Sequence, residues 1–135
     1  NGVSTRAVTL SSIAGSISAP TIAKQIMVSD KDRHIIAFGC DTEGSPGVQD
    51  PLSIRFSSQE SLTDWGATAT NTAGELRLGS GSEIITAQET RQQILVFTDV
   101  SLHAMQFIGP PFTFGVSQLI RSNPYIYHIL KTHRG

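Results

Sequence analysis

The stretch Arg91–Gly115 reads RQQILVFTDVSLHAMQFIGPPFTFG, and it decides the fold class. Its apolar residues alternate with polar ones on both sides of a break at Thr98-Asp99, and a Gly-Pro-Pro turn ends the pattern. Period-two alternation between turn residues is typical of paired β-strands. The same period recurs along the rest of the chain, and no long segment shows the 3.6-residue period of a helix. The sequence therefore predicts an all-β protein.

Nine segments have strand-like patterns, and clusters of Gly, Pro, Asp and Ser separate them. Short strands joined by short turns predict antiparallel meander sheets rather than βαβ units. The predicted strands are Ala7–Leu10, Lys24–Ser29, His34–Cys40, Leu52–Ser57, Glu75–Leu78, Glu83–Glu89, Gln93–Thr98, Ser101–Ile108 and Thr113–Ile120. Residues 58–73 are expected to form a long polar loop that Leu62 and Trp65 pin to the core. The Ser/Ala/Gly-rich residues 11–23 fit a loop.

Length and composition limit the possible functions. The 135 residues suffice for a single β-rich region with its own core, but we expect them to be a fragment of a larger domain. Charged residues make up 16%, against about 25% in typical globular proteins, and Ser, Thr, Gly and Gln fill the difference. The net charge of −1 argues against electrostatic nucleic-acid binding by the whole chain. No segment has the roughly 20 apolar residues needed to span a membrane, so no membrane partner is expected.

An internal repeat emerges when QIMVSDKDRHIIAFGCD (25–41) is aligned with EIITAQETRQQILVFTD (83–99). With one inserted residue after Arg91, the matched pairs are Ile26/Ile84, Met27/Ile85, Ser29/Ala87, Arg33/Arg91, Ile35/Ile94, Ile36/Leu95, Phe38/Phe97 and Asp41/Asp99. Each copy is followed by a third strand, PLSIRFSS (51–58) or SLHAMQFIG (101–109). The repeat units therefore span about residues 25–57 and 83–119.

A period near 58 residues with three or four strands per unit predicts two blades of a β-propeller-like domain. A single blade cannot bury both of its faces, so blades pack against neighbouring blades. Two copies do not close a ring, which again indicates a fragment. The alternative is a β-sandwich in which two hairpins are similar by chance.

Catalytic motifs are missing from the sequence: there is no nucleophile elbow, no phosphate-binding loop and no zinc-binding helix motif. We expect no catalytic, cofactor-binding or metal-binding residues and no cofactor. Two carboxylate pairs, Asp30-x-Asp32 and Asp41-x-Glu43, resemble calcium ligands but lack the full loop pattern, and solvated turn residues are expected. Gly79-Ser80-Gly81-Ser82 is expected to be a tight turn. His34, His103, His128 and His133 are scattered without metal-ligand spacing. The single cysteine, Cys40, is expected to be buried.

One pair of neighbours, Asp64 and Trp65, invites a catalytic interpretation. With Glu60 or Glu75, Asp64 would supply the two carboxylates of glycoside hydrolysis. Trp65 is more often an anchor that holds a loop to the core, so the protein is expected not to be an enzyme. An aromatic cluster, Phe107, Phe112 and Phe114 around Gly109-Pro110-Pro111, predicts an apolar edge that packs on a neighbouring unit or subunit.

Several elements, in order, resemble virion proteins of short-tailed phages of the tail nozzle or tail tubular protein B type. The resemblance covers about residues 26–119, and no single element in it is a catalytic signature. Its elements are Ile54-Arg55-Phe56 with Leu62-Thr63-Asp64-Trp65, then Asn71-Thr72-Ala73-Gly74-Glu75-Leu76-Arg77-Leu78 and Ile84-Ile85, then Ile94–Asp99 with Leu102–Phe107, and last Gly109–Gly115.

This resemblance implies a structural virion protein whose copies assemble into a ring below the portal and adaptor. The ring would form part of the conduit through which genomic DNA leaves. The alternative function is a β-rich receptor- or glycan-binding module with Trp65, Tyr125 and Tyr127 as stacking faces. Residues 120–135 depart from the pattern and form an atypical tail.

Overall fold

A computed structural model describes residues 17–29, 33–68, 70–109 and 113–121. For residues 120 and 121 it describes the backbone alone. Eight strands lie in these ranges, and none of the described residues is helical. The strands are β1 Gln25–Ser29, β2 His34–Phe38, β3 Ser53–Phe56, β4 Gly74–Arg77, β5 Ile84–Glu89, β6 Ile94–Thr98, β7 Ser101–Gly109 and β8 Thr113–Arg121. The predicted strand Ala7–Leu10, the pair Asp30 and Asp32, and residues 122–135 lie outside the described residues.

The strands form two four-stranded antiparallel sheets. The first sheet has the order β1-β2-β3-β4 and the second has the order β5-β6-β7-β8, so each sheet is a sequential meander. The predicted all-β class and the antiparallel meanders are confirmed. Each of the eight strands begins and ends within two residues of its predicted bounds, because alternation and turn residues mark both ends.

One hydrophobic core lies between the two sheets. In β2, Ile36 and Phe38 are fully buried, and in β6 Ile94 and Val96 face the same core. Phe56 of the first sheet and Phe114 of the second meet with ring centroids 4.9 Å apart. The buried members of this core are Ile36, Phe38, Leu52, Ile54, Phe56, Leu78, Ile84, Ala87, Ile94, Val96, Met105 and Phe114. The sheets therefore fold as one unit around shared apolar surface.

The first strands of the two sheets are joined through a side chain. The Gln25 amide donates to the Ala87 carbonyl at 2.9 Å, and the Ala87 N–H donates to Gln25 Oε1 at 3.0 Å. The amide thus satisfies both backbone groups of Ala87, as a neighbouring strand would. At the other side of the molecule the last strands, β4 and β8, line a groove of about 490 Å³. The sheets are thus in contact at their first strands, and at their last strands the groove lies beside a contact in which the Thr113 hydroxyl donates to the Thr72 carbonyl at 3.0 Å.

The other face of the first sheet is covered by residues 17–23 and by the loop after β3. Ala37 and Cys40 pack there against Ala19 and Trp65. The prediction that Trp65 anchors this loop is confirmed, since only 1% of its surface is exposed. The prediction for Leu62 is wrong, because its side chain is 52% exposed. Leu62 contributes its carbonyl instead, which accepts a hydrogen bond from Trp65 Nε1 at 3.0 Å.

The register of the two hairpins differs from the sequence alignment of the repeats. Ser29 pairs with His34 and Glu89 pairs with Ile94, so both hairpins have four-residue connections and neither has an inserted residue. A shift of one residue reverses the face of every side chain in a strand. By hairpin position, Ile36 and Val96 correspond and both face the shared core, whereas the sequence alignment matches Ile36 with Leu95, which faces away from the core.

Candidate functional site

Arg55 is a buried cation at the centre of three segments. Its guanidinium donates to the carbonyls of Ser18, Asp41 (3.4 Å) and Trp65 (3.3 Å). Only 2% of its surface is exposed, and none of its described hydrogen bonds goes to a carboxylate. Five N–H donors in a planar fork suit several carbonyls at once, which a lysine cannot match. Arg55 therefore ties three chain segments to β3 and is not displayed to a ligand.

Asp41 is a second buried polar centre. Its carboxylate accepts hydrogen bonds from the Thr21 N–H (2.9 Å), the Thr21 hydroxyl (2.6 Å), the Ile22 N–H (3.3 Å) and the Gly47 N–H (2.9 Å). The expectation that Asp41 is a solvated turn residue is wrong, since it is 1% exposed. The loop needs an acceptor for these otherwise unpaired backbone donors. Because both oxygens are occupied by donors, Asp41 is not arranged to bind calcium.

Hydrogen bonding controls the ionisation of Asp41. Burial raises the pKa of its carboxyl group, but the hydrogen bonds from Gly47, Thr21 and Ile22 outweigh burial and hold the pKa below its ordinary value. A lowered pKa in the folded state means that the unfolded chain binds the proton more tightly. Asp41 therefore stabilises the fold above the unfolded-state pKa of about 3.9, and this contribution is lost as pH falls from there through the folded pKa.

Replacing Asp41 with asparagine is expected to lower the free energy of unfolding at neutral pH by about 2 kcal/mol, because an NH₂ group would face a backbone or hydroxyl donor. Urea unfolding from pH 7 to pH 3 should show the variant and the wild type converging in acid. Glu83→Gln is the control, since Glu83 is half-exposed in an ion pair with Lys24 and should change stability little. An equal difference at every pH would contradict the assigned role of ionised Asp41.

The carboxylates considered for glycoside hydrolysis have separate partners. Glu60 forms an ion pair with Arg33 at 3.2 Å, Asp64 accepts from the Asn71 amide at 3.1 Å, and Glu75 accepts from the Glu43 N–H at 3.3 Å. Buried Trp65 offers no ring face to a sugar. Among the described residues, no group of three His, Cys, Asp or Glu side chains is placed to hold a metal ion.

The two described histidines and the cysteine are enclosed by protein. His34 Nδ1 lies 2.7 Å from the Ser57 carbonyl, and the ring is surrounded by Phe56, Phe107 and Phe114. His103 Nε2 lies 2.9 Å from the Ser101 hydroxyl, and burial lowers the pKa of His103. Cys40 is buried as predicted, and burial raises the pKa of its thiol. His128 and His133 lie outside the described residues.

The predicted aromatic edge is divided between core and surface. Phe114 is buried and packs on Phe56, so it contacts the neighbouring sheet as expected. Phe107 remains 39% exposed, and Phe112 with Pro110 and Pro111 lies outside the described residues. Of the two described rings of this cluster, Phe114 joins the sheets and Phe107 is partly exposed.

The clearest candidate for an interaction site is the face of the second sheet that points away from the first. Leu95 and Phe97 alternate with the inward-facing side chains of β6, and Phe97 pairs with Leu102 of β7. All three are half-buried, and neither core cluster of the described residues includes them. We call Leu95, Phe97 and Leu102 the distal face. Sequence reasoning placed these residues on strands but did not show which face would lack a partner.

A second apolar surface lies on the opposite side of the molecule. Val28, Ile35 and Leu62 line a groove of about 360 Å³, with the Arg33–Glu60 ion pair at its margin. Ile26 lies two residues before Val28 on the same face of β1. Ile26 and Val28 are 60% and 56% exposed, which is unusual for adjacent strand positions of one face. We call Ile26, Val28, Ile35 and Leu62 the proximal face.

The described part of the chain contains no helix long and apolar enough to cross a membrane. In comparisons with known proteins, no family model, no curated protein and no solved structure matches the chain.

Proposed function

We propose that this chain is a structural component of a phage tail, of the nozzle or tail tubular type, in which β-propeller-like blades build part of the DNA-exit conduit. The observation that carries the proposal is the distal face, a half-buried apolar sheet surface without a described partner. Surfaces of this kind mark sites where proteins assemble. The assignment to a phage tail comes from the ordered sequence resemblance. The proposal gives this chain no catalytic role.

The arrangement of the two sheets agrees with the blade interpretation. Each sheet is a four-stranded meander, as in propeller blades, and the first strands of both sheets lie side by side.

The use of polar side chains also favours a structural role. The guanidinium of Arg55 and the carboxylates of Asp41 and Asp64 are engaged in holding loops. The glycan-binding alternative loses Trp65 as a stacking face, since that ring is buried. Its other two aromatic residues, Tyr125 and Tyr127, lie outside the described residues. No described feature favours this alternative.

Immunogold labelling tests the assignment on purified particles of a short-tailed phage whose genome encodes this chain. An antibody raised against this chain should label the tail, at the end away from the capsid. Antibody pre-absorbed with the purified chain is the control and should leave the tails unlabelled. Particles that carry no label, with the chain absent from their mass-spectrometric protein inventory, would refute a virion role.

A further inference from the structure

We propose that the segment of this chain that precedes Ile17, residues 1–16, covers the proximal face and fills the groove between Val28 and Leu62 with its apolar side chains. Residues 1–16 lie outside the described residues. The support comes from the surface that they would cover and from the way in which the described chain enters it. The contact is independent of the proposed tail function, since it lies within one copy of the chain.

The outer face of the first sheet has a covered part and an open part. In the covered part, Ala37 packs against Trp65 beneath residues 17–23. Ile26 pairs with Ala37 and Val28 pairs with Ile35 across β1 and β2, so these four side chains share the face. Ile26 and Val28 are nevertheless more than half exposed. The described cover therefore ends before it reaches β1, and the groove marks the place where it ends.

The margin of the groove has a fixed shape. Arg33 and Glu60, which form the ion pair there, both have a φ of +59°. The Glu60 N–H donates to the Arg33 carbonyl at 2.7 Å, and the Arg33 N–H donates to the Ser29 carbonyl at 2.6 Å. Residues other than glycine adopt such angles where the surrounding contacts hold them, and often where a ligand or a chain segment is clamped. The groove thus has a wall that is formed before anything fills it.

The first described residue is held beside the loop that lines this groove. Ile17 forms a parallel bridge with Asp64, in which the Ile17 N–H donates to the Thr63 carbonyl at 2.8 Å. The Ile17 carbonyl accepts from the Trp65 N–H at 3.0 Å. Because the two chains of a parallel pair run in the same direction, the chain that enters Ile17 should come from the side of Leu62. Leu62 is the residue of this loop that lines the groove with its side chain exposed.

The segment before Ile17 has the side chains that such a groove requires. Val8, Leu10 and Ile13 are its largest apolar residues, and Arg6 is its only charged residue. At no more than about 3.5 Å per residue, Ile13 lies up to about 14 Å from Ile17 and Leu10 up to about 25 Å. These lengths allow both side chains to reach the proximal face, where burial would remove apolar surface of both partners from water.

A tethered segment also has an advantage over a separate molecule. Association of a second copy or of another protein costs translational and rotational freedom. Residues 1–16 are joined covalently to Ile17, so their effective concentration at the groove is of the order of millimolar. The segment therefore occupies the groove before a free partner of similar apolar character does.

Methyl NOE spectroscopy of the full chain tests the contact directly. With Ile, Leu and Val methyl groups labelled, Val28 and Leu62 should give cross-peaks to Leu10 or Ile13. Val48 is the internal control, because it is 65% exposed in a loop and should give no cross-peak to the segment. Dilution should leave the cross-peaks unchanged. Cross-peaks found only between differently labelled copies in a mixed sample would assign the groove to a second copy and overturn the proposal.

Trypsin cleavage after Arg6 gives a second readout, followed by the mass of the intact chain. Val28→Asp would bury an unpaired charge beneath the segment, so cleavage should become at least about tenfold faster than in wild type. Leu62→Asp should act in the same way and guards against a single variant that fails to fold. Val48→Asp is the matched control and should leave the rate unchanged. Circular dichroism checks the fold of each variant.

A double substitution separates a shared contact from two unrelated effects. Leu10→Asp alone should also accelerate cleavage after Arg6. Combined with Val28→Asp it should add little, because either substitution already removes the same contact. Effects that multiply would overturn the proposal. Equal cleavage rates in wild type and every variant, with no cross-peak from Val28 or Leu62 to the segment, would overturn it as well.

Discussion

Replacing Arg55 with methionine is expected to lower the free energy of unfolding by about 3 kcal/mol, because three carbonyls would lose their donor. Methionine keeps much of the length and apolar contact of the arginine stem, so the change isolates the guanidinium. The affected carbonyls belong to Ser18, Asp41 and Trp65, which lie in three different segments. Urea unfolding at pH 7 measures the difference in stability.

Fluorescence adds a local readout to this variant. Trp65 is the only tryptophan of the chain and is buried, and its own carbonyl is one of the three acceptors. Loss of the guanidinium should free this loop, so the folded variant should show emission shifted to longer wavelength. Arg77→Met is the matched control, since Arg77 is 62% exposed in an ion pair with Asp50 and should cost under about 1 kcal/mol. Equal effects of the two substitutions would contradict a structural role for Arg55.

The local features of this fold could be predicted from the sequence. Strands such as Ile94–Thr98 are marked in the sequence by apolar residues between turn signals, and the structure places a strand there. Cys40 and Trp65 were expected in the core from residue type, and both are buried. These properties depend on a residue and its near neighbours, which a single sequence displays directly.

Features that depend on segments far apart could not be predicted in this way. In Ile54-Arg55-Phe56 the alternation places Arg55 on the face opposite two apolar residues, which indicates solvent exposure. Its burial results from residues 17–23 and the Trp65 loop lying over that face. Gln25 likewise meets Ala87 across 62 positions of sequence. The periodicity of apolar residues and the spacing of motifs do not indicate such a contact, because it forms only when the two sheets pack together.

The Gly79–Ser82 turn between the two sheets supplies the second large effect. Replacing Gly81 with alanine is expected to destabilise the protein by about 3 kcal/mol. Gly81 has a φ of +98°, which side chains other than glycine rarely adopt. An added Cβ would also lie 2.6 Å from Thr98 Oγ1 and 2.7 Å from Thr98 Cβ. Thr98 cannot move away easily, because it is fully buried and its hydroxyl is hydrogen-bonded to Ser101.

Gly79 in the same turn provides the matched control. A Cβ there meets no atom within 4 Å and the backbone is not in the left-handed region, so Gly79→Ala should change stability by no more than about 0.5 kcal/mol. Because Phe56 and Phe114 share one core, unfolding of the Gly81 variant followed by Trp65 fluorescence should coincide with unfolding followed by circular dichroism. Separate transitions would mean that the first sheet survives without the second. In that case the contact between the two sheets would be weaker than the shared core implies.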